Sequence, residues 1–319
     1  MALPGGWDTR VYVFSLRAAP PFDGPLVLRV FRPGELRRAS WEFTVQAVVA
    51  AQGYPAPEPL VSLLEEDAPA GPGFVMRRIP GRELMDAMLS SPRMLLGAPS
   101  LLAETHARLH ALDAGAIVKG AAERGFTVET QDTIARSLAE LEANVERTRL
   151  DGLRGLVEWV DAHRPPEPGV PVLCHGDFHP RNVFVDAGRV SGVIDWSNAT
   201  VGDAALDVAT TVLLIRTGTV DLPAPVRAVL AVLRRWLAGR YLSAYRALRP
   251  VDAGVLRAYL ACVCAWRLWE FGLWRRMAGG AIPGDPSRAT HATDREVMPL
   301  IRFARSLTGV RPTLPALGT

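Results

Sequence analysis

The sequence contains almost no lysine. Of its 319 residues only Lys119 is a lysine, so arginine supplies nearly all of the positive side-chain charge. It also lacks both common nucleotide-binding motifs, the loop GxxxxGK[ST] and the fingerprint GxGxxG. P-loop enzymes and dinucleotide-binding enzymes hold phosphate with those loops, so their absence excludes both classes. A phosphate-binding cation in the amino-terminal strands would have to be an arginine.

Cysteine is also scarce, and no apolar run is long enough to cross a bilayer. The cysteines Cys174, Cys262 and Cys264 give no disulfide framework, which favours a reducing cytoplasm. The apolar stretch 204–215 is too short for a transmembrane helix and indicates a buried one. A membrane is therefore not an expected partner. Nucleic acid is not expected either, because no basic motif is interleaved with aromatic residues. The apolar fraction of 49% is enough for sizeable cores in two lobes.

The most informative feature is the sequence HGDFHPRN at 175–182, followed by IDW at 194–196. It places an aspartate, Asp177, five residues before Asn182 and then adds a second aspartate, Asp195. One carboxylate can orient a hydroxyl group, and the two other side chains can hold Mg²⁺ through oxygen. These groups are the minimal equipment for transferring the γ-phosphoryl group of a nucleotide to an alcohol.

The residues between the two motifs predict a hairpin. Two apolar stretches, 183–185 and 190–194, have the composition of strands, and 186–189 has that of a turn. A hairpin returns Asp195 to the end where Asn182 leaves. Two oxygen ligands are therefore expected beside the first aspartate.

Two other interpretations of these residues stay open at this point. Histidine and carboxylate clusters also suit zinc, iron or manganese in a metallohydrolase. The ligands would then be His175, Asp177, His179 and Asp195. Asn182 argues against that reading, because a neutral amide oxygen suits the harder Mg²⁺ better. The HGD segment could also be a purely structural turn.

The segment 172–209 resembles the aminoglycoside phosphotransferase and choline kinase-like family. Members carry an HGDxHxxN loop, an IDW or IDF turn and a GDPxxDLA segment, and this chain has HGDFHPRN, VIDW and GDAALDVA in that order. Ala204 replaces the usual proline of the third motif. The resemblance implies an α+β, two-lobed, protein-kinase-like fold, with a small antiparallel-sheet nucleotide lobe and a larger, mainly helical lobe.

We place the nucleotide lobe at 1–80, with a linker at 74–80, and the catalytic and substrate lobe at 81–319. Family members normally have a strand before the glycine-rich turn, whereas here Met1 lies only a few residues before Gly5. The resemblance therefore implies that the first strand of the nucleotide lobe is largely missing.

The resemblance also implies roles for the motif residues. Asp177 would be the catalytic base or hydroxyl-orienting residue. Asn182 and Asp195 would be the Mg²⁺ ligands. Structural support of the catalytic loop is expected from His175, Asp203 and Asp207.

Two groups near the amino terminus are candidates for binding the phosphates of ATP or GTP. Gly5 and Gly6 lie in a turn whose backbone N–H groups could approach phosphate, although a plain hairpin turn would look the same. Arg29 lies on a predicted strand where kinases keep a phosphate-binding lysine, and its planar guanidinium can grip phosphate oxygens. Glu42, on a predicted helix at 39–52, is the expected partner that holds Arg29. The two could equally be an ordinary surface pair.

The linker resembles the segment where family members contact the nucleotide base. The candidate residues are Met76, Arg77 and Ile79. Arg77 stands where many relatives have glutamate, and the sequence does not decide between ATP and GTP.

The acceptor is the least determined part of the prediction. Trp266, Trp269 and Glu270 fall at i, i+3 and i+4 of a predicted helix at 256–277 and therefore share a face. They could hold an amine by cation–π attraction, or they could be helix core. The arginine-rich carboxyl-terminal third does not suit a polycation well, although it could simply reflect an arginine-rich genome.

The sequence therefore predicts a phosphotransferase that depends on ATP or GTP and on Mg²⁺. Its acceptor would be a hydroxyl group of a small molecule such as an aminoglycoside, a macrolide or an amino alcohol. The alternatives are a catalytically silent nucleotide- or ligand-binding relative and, with less support, a metallohydrolase. A protein kinase is not favoured, because HGD replaces HRD and IDW replaces DFG.

Overall fold

The computed structural model describes residues 2–3, 9–17, 19–65, 70–128, 130, 133–165, 170–218, 224–283 and 286–316. The chain divides into two compact units. The first comprises Met1–Glu129 and Pro171–Val201, and the second comprises Thr130–Val170 and Gly202–Thr319. This division groups the HGD and IDW segments with the amino-terminal residues, whereas the predicted lobe boundary separates them at residue 80. That boundary stays a prediction.

A five-stranded antiparallel sheet forms the base of the first unit, in the order β1-β2-β3-β5-β4. Its strands are β1 (Ala2–Leu3), β2 (Thr9–Ser15), β3 (Pro25–Phe31), β4 (Pro59–Leu63) and β5 (Gly73–Arg77). Apolar and β-branched residues fill β3, as expected for a central strand buried on both faces. Arg29 is the charged exception in that strand, opposite Phe74 of β5.

The helices of the first unit are α1 (Leu36–Ala51), α2 (Leu84–Ser90), α3 (Pro92–Leu109) and α4 (Ala114–Ala122). Helix α1 packs on β4 and β5, and its buried residues include the charged Glu42. Side chains fix two of the helix starts. Ser91 accepts a hydrogen bond from the backbone N–H of Met94 at 3.4 Å, and Asp113 accepts one from Gly115 at 2.8 Å.

The predicted hairpin is present in the first unit. Its strands β8 (Val183–Asp186) and β9 (Arg189–Val193) pair antiparallel, and β6 (Arg82–Glu83) pairs with the other edge of β8. Ala187 and Gly188 connect the two strands with φ of 47° and 79°. Positive φ at both positions is characteristic of the tight turns that match the strand twist. Strand β7 (Pro171–Cys174) precedes the hairpin.

The residues between β5 and β6 also contact this hairpin. Ser191 Oγ donates a hydrogen bond to the carbonyl oxygen of Pro80 at 2.7 Å. The side chain of Ile79 fills the space above Gly192, so that a Cβ on residue 192 would overlap it. Any larger residue at position 192 would therefore force the Ile79 side chain to shift.

The second unit is mainly helical. Strand β10 (Thr200–Asp203) leads into it. Its helices are α5 (Thr133–Thr148), α6 (Arg154–His163), α7 (Ala204–Thr217), α8 (Ala224–Leu248), α9 (Ala253–Ala278) and α10 (Asp294–Thr308). Helix α9 is central and packs against α5, α6, α7 and α10. The Asp252 carboxylate begins it by accepting hydrogen bonds from the backbone N–H groups of Gly254 and Val255.

An antiparallel sheet near the amino terminus followed by mainly helical structure is what the sequence predicts, and this prediction is confirmed. Within the described part of the chain, no helix is long and apolar enough to cross a membrane. The three cysteines are buried.

Candidate active site

In the loop between β7 and β8, the side chain of Asn182 holds Asp177 in place. The side-chain Nδ2 of Asn182 donates to the backbone oxygen of Asp177 at 2.9 Å and lies 3.2 Å from its carboxylate Oδ2. The Asp177 side chain remains 28% exposed, so solvent and a ligand can reach it. His179 Nε2 lies 3.5 Å from the same Oδ2. One carboxylate oxygen is thus held in place while the carboxylate as a whole stays accessible.

Asn182 is itself fixed by its backbone. Its N–H donates to the carbonyl oxygen of His179, and its carbonyl oxygen accepts from the N–H of Ile194, both at 2.9 Å. The residue is buried. Because Nδ2 is directed at Asp177, the amide oxygen is the end left for another partner.

The hairpin returns Asp195 to this end of the loop, as predicted. Val183 pairs with Val193, and the bond between Asn182 and Ile194 continues the ladder to the last residue before Asp195. Asp195 has φ 67° and ψ 67°, a left-handed conformation that costs a non-glycine residue about 1–2 kcal/mol. Such strain in an aspartate is more common at functional sites than elsewhere.

Two buried rings support the strained turn. Trp196 is fully buried, and its Nε1 donates to the carbonyl oxygen of Val193 at 3.0 Å. The ring of His175 lies 4.7 Å from that of Trp196, centroid to centroid. His175 Nδ1 accepts from the backbone N–H of Asp177, so Nε2 carries the proton and donates to Ile194 at 3.0 Å. His175 thereby connects the HGD segment to the IDW segment, the position that a supporting residue needs.

The buried Arg29 joins Asp195 and the buried Glu42 in one cluster. Its Nη2 lies 2.8 Å from Asp195 Oδ1 and 3.2 Å from Glu42 Oε2. The predicted ion pair of Arg29 with Glu42 is therefore present, and it is buried, not on the surface. The Nε of Arg29 is also buried and has no hydrogen-bond partner among the residues that the structure describes. It is a charged donor that still needs an acceptor.

The two carboxylates of this cluster titrate differently. Burial raises the pKa of Glu42 to about 7, although Arg29 acts in the opposite direction. Burial also acts to raise the pKa of Asp195, but the charge of Arg29 and the hydrogen bond from Ser197 outweigh it and hold that pKa below its usual value. Asp195 therefore stays ionised at neutral pH, as a cation ligand must.

Sequence reasoning missed two residues of this cluster. Ser197 Oγ lies 3.0 Å from Asp195 Oδ1, and Arg38 Nη2 lies 3.4 Å from Ser197 Oγ. The only sequence signal is the position of Arg38 four residues before Glu42, which puts both on the same side of α1.

The linker residues are largely engaged by the sheet. Met76 is buried in the core between α1 and the sheet, and its backbone lies between β3 and β4. Arg77 forms an ion pair with Glu58 at 3.0 Å, and its backbone N–H donates to the carbonyl oxygen of the same residue. Ile79 lies against Gly192. A contact of these residues with a nucleotide base stays a prediction.

The other predicted site residues lie at several places. Gly5 and Gly6 are outside the described residues. Asp203 begins α7 by accepting from the backbone N–H of Ala205 at 2.7 Å, and Asp207 is buried in the same helix. The support that these two aspartates would give to the catalytic loop stays a prediction.

Trp266, Trp269 and Glu270 are half-buried on α9, as their spacing predicts. The indole N–H groups bond to α5, with Trp266 donating to Ser137 at 2.7 Å and Trp269 to Thr148 at 3.2 Å. Glu270 forms an ion pair with Arg267 of its own helix. These bonds pack α9 against α5, and a further role toward an acceptor stays a prediction.

The donor atoms available near the IDW turn fit Mg²⁺. An amide oxygen of Asn182 and a carboxylate oxygen of Asp195 are hard ligands of the kind that Mg²⁺ prefers, and no thiolate lies among them. This set does not resemble the nitrogen-rich sites of zinc hydrolases.

An antiparallel sheet with a buried Arg–Glu pair, followed by a loop with Asp and Asn and by a returning Asp, is the arrangement that the sequence predicts for a kinase-like fold. The chain belongs to the phosphotransferase enzyme family, whose model matches residues 1–279. The predicted family is therefore confirmed.

Solved structures show the same fold. A putative aminoglycoside phosphotransferase from Ralstonia eutropha JMP134 aligns over 96% of this chain and 92% of its own, with a TM-score of 0.67 and 17% identity. A ternary complex of the aminoglycoside phosphotransferase APH(4)-Ia with AMP-PNP and hygromycin B aligns over 94% and 92%, with a TM-score of 0.53 and 22% identity. The predicted protein-kinase-like fold class is confirmed.

Among curated proteins, the chain is similar to acyl-CoA dehydrogenase family member 11 of Gallus gallus, with 27% identity over 172 residues. The match covers 53% of this chain and 22% of that protein, so the chain spans under a quarter of this relative's length.

Proposed function

We propose that this chain is a small-molecule kinase. It transfers the γ-phosphoryl group of ATP or GTP, in the presence of Mg²⁺, to a hydroxyl group of a small molecule. The observation that carries the proposal is the arrangement of Asp177, Asn182 and Asp195 around one hairpin, with Arg29 bonded to the last of them. APH(4)-Ia, which has the same fold, is known as a complex with the nucleotide AMP-PNP and with hygromycin B.

Asp177 is the group that acts on the acceptor. Its carboxylate orients the substrate hydroxyl for in-line attack on the γ-phosphorus. A bond forms between the hydroxyl oxygen and phosphorus, the bond from phosphorus to the bridging oxygen of the β-phosphate breaks, and the nucleoside diphosphate leaves. The hydroxyl proton passes to Asp177 late in the reaction. Most of the rate gain comes from positioning and from charge neutralisation.

The other residues hold the nucleotide. Arg29 offers its buried Nε–H to a phosphate oxygen, while its Nη2 stays with Glu42 and Asp195. Asn182 and Asp195 would hold Mg²⁺, which supplies positive charge at the phosphates. Gly5 and Gly6 would add backbone donors, and the linker would contact the base.

The acceptor is an aminoglycoside, a macrolide or an amino alcohol, and the half-buried rings of Trp266 and Trp269 with Glu270 are candidates for its amine. We expect the enzyme to act in the cytoplasm, because the reaction consumes a nucleoside triphosphate. His175, Asp203 and Asp207 would act as supports of the loop.

The proposal is tested by titrating the purified protein with Mg–ATP and Mg–GTP in a calorimeter and by measuring phosphoryl transfer to a panel of such alcohols. Asp177→Asn should keep nucleotide affinity and lower turnover by at least about 100-fold. Asp195→Ala should weaken binding of the metal–nucleotide complex. Asp186→Asn, an exposed carboxylate on the same hairpin, is the matched control and should behave as wild type.

The outcomes separate the alternatives. Normal turnover of Asp177→Asn would remove that residue from the reaction, and normal binding by Asp195→Ala would remove it from the metal site. Nucleotide binding without transfer to any alcohol would favour a catalytically silent relative. Tightly bound zinc or iron in the purified protein would favour a metallohydrolase.

A further inference from the structure

The two oxygens of the Asp195 carboxylate have different surroundings. Oδ1 accepts hydrogen bonds from Arg29 Nη2 at 2.8 Å and from Ser197 Oγ at 3.0 Å. Within the described residues no hydrogen bond to Oδ2 is present, and the side chain is 30% exposed. Oδ1 is therefore occupied by two protein donors, whereas neither of them binds Oδ2.

The hydroxyl of Ser197 is oriented by Arg38. Arg38 Nη2 lies 3.4 Å from Ser197 Oγ, and because a guanidinium can only donate, the hydroxyl oxygen accepts this bond. The hydroxyl proton is then available for Asp195. Arg38 is in turn held by Glu35, at 3.4 Å between Nη1 and Oε1. Arg38 therefore donates to Ser197, and Ser197 donates to Asp195.

Helix α1 thus reaches Asp195 by two separate routes. Glu42 holds Arg29, which binds Oδ1, and Arg38, one turn earlier on the same helix, holds Ser197, which binds the same oxygen. Rotation of an aspartate about its terminal torsion is otherwise soft. Two donors from different elements restrict that rotation.

We infer that Ser197, held by Arg38, is a positioning residue for Asp195: it occupies Oδ1 together with Arg29 and so presents Oδ2 to the metal–nucleotide complex. This inference rests on the proposed function, because the metal role of Asp195 is part of it. Groups that orient a metal ligand in this way change metal affinity about 10- to 100-fold when they are removed.

The test measures metal binding directly. Mn²⁺ replaces Mg²⁺, and the loss of its free electron-paramagnetic-resonance signal is followed while protein saturated with AMP-PNP is added. Ser197→Ala should raise the Mn²⁺ dissociation constant about 10-fold or more. Ser197→Thr keeps the hydroxyl and should restore most of the affinity. Arg38→Met should weaken Mn²⁺ binding as well, by a smaller factor.

Two matched controls separate this effect from a general loss of serine or arginine. Ser90→Ala removes the hydroxyl of an exposed serine that donates to the Ala87 carbonyl oxygen at 3.2 Å. Arg37 is the exposed neighbour of Arg38, and its own guanidinium lies over the Phe126 ring. Arg37→Met removes that guanidinium. Both should bind Mn²⁺ as wild type. Circular dichroism shows whether each variant is folded.

AMP-PNP affinity measured by calorimetry with EDTA present should be the same in wild type and in Ser197→Ala, since the serine acts through the metal ligand. Unchanged Mn²⁺ affinity in folded Ser197→Ala and Arg38→Met would overturn the inference and leave the proposed function standing. Equal losses in Ser197→Thr and Ser197→Ala would also overturn it. Failure of the wild type to bind Mn²⁺ with AMP-PNP would overturn both proposals together.

Discussion

Gly176 and Gly188 have nearly the same backbone conformation but different surroundings, and this pair gives a quantitative prediction. Their φ values are +77° and +79°. An alanine Cβ at position 188 would meet nothing within 4 Å, whereas at 176 it would overlap the carbonyl oxygen of Asn198 and lie 3.0 Å from its carbonyl carbon. Alanine at 188 therefore tests conformation alone, and alanine at 176 tests conformation and space together.

The magnitudes follow from these two terms. A left-handed alanine costs about 1–2 kcal/mol, and the reduced freedom of the unfolded chain returns about 0.4–1 kcal/mol. Gly188→Ala should thus lower the free energy of unfolding by about 1 kcal/mol. Gly176→Ala carries an added steric cost of about 1–3 kcal/mol, the usual penalty for overfilling a packed site.

The catalytic consequence is larger than the loss of stability. To restore a normal carbon–oxygen contact of about 3.3 Å, the loop at 176 must move by about 1 Å. Asp177 is the next residue and would move with it. A displacement of that size costs about 100-fold in turnover.

Urea unfolding and phosphoryl transfer at saturating substrate measure the two effects in parallel. Gly188→Ala should keep full turnover, and Gly176→Ala should lose at least about 100-fold while remaining folded. Equal turnover in the two variants would show that the approach of Gly176 to Asn198 does not position the catalytic loop.

Two further predictions concern buried titratable groups. Because burial raises the pKa of Glu42 from 4.5 to about 7, the stability it contributes is complete below pH about 4.5 and is lost as pH rises through about 7. In urea titrations from pH 4.5 to 8, the free energy of unfolding of the wild type should therefore fall relative to that of Glu42→Gln. If the difference between the two proteins stays constant over this pH range, the raised pKa is contradicted. Burial also raises the pKa of Cys262 to about 11 and of Cys264 to about 12. A thiol-specific disulfide reagent at pH 8 should leave both unmodified in the native protein and react after denaturation, so rapid native labelling would refute their burial.

The sequence predicts those parts of the site that depend on local pattern. The hairpin that joins Asn182 to Asp195 follows from two short apolar stretches and a turn, and it is present. The pairing of Arg29 with Glu42 depends on a strand followed by a helix, and it is also present. Both predictions use residues whose order along the chain limits where they can lie.

The bonds that fix the geometry have no such local signal. Ser197 and Arg38 are 159 residues apart, and the residues next to each of them in the sequence do not predict the contact. The left-handed conformation of Asp195 has no local signal either, because the surrounding residues do not require it. Met76 is buried because its side chain packs with Phe31, Phe74 and Ala39 of α1, contacts that a single strand pattern does not reveal.

The nesting of Ile79 above Gly192 has a consequence for how the sequence can change over time. The two positions share one volume, so a methyl group gained at 192 requires the Ile79 side chain to shift or to lose carbon. A larger residue at 192 is therefore accommodated most easily when residue 79 becomes smaller first. The segment that follows the sheet and the hairpin that returns Asp195 are therefore expected to drift as a coupled pair, even though more than a hundred residues separate them in the chain.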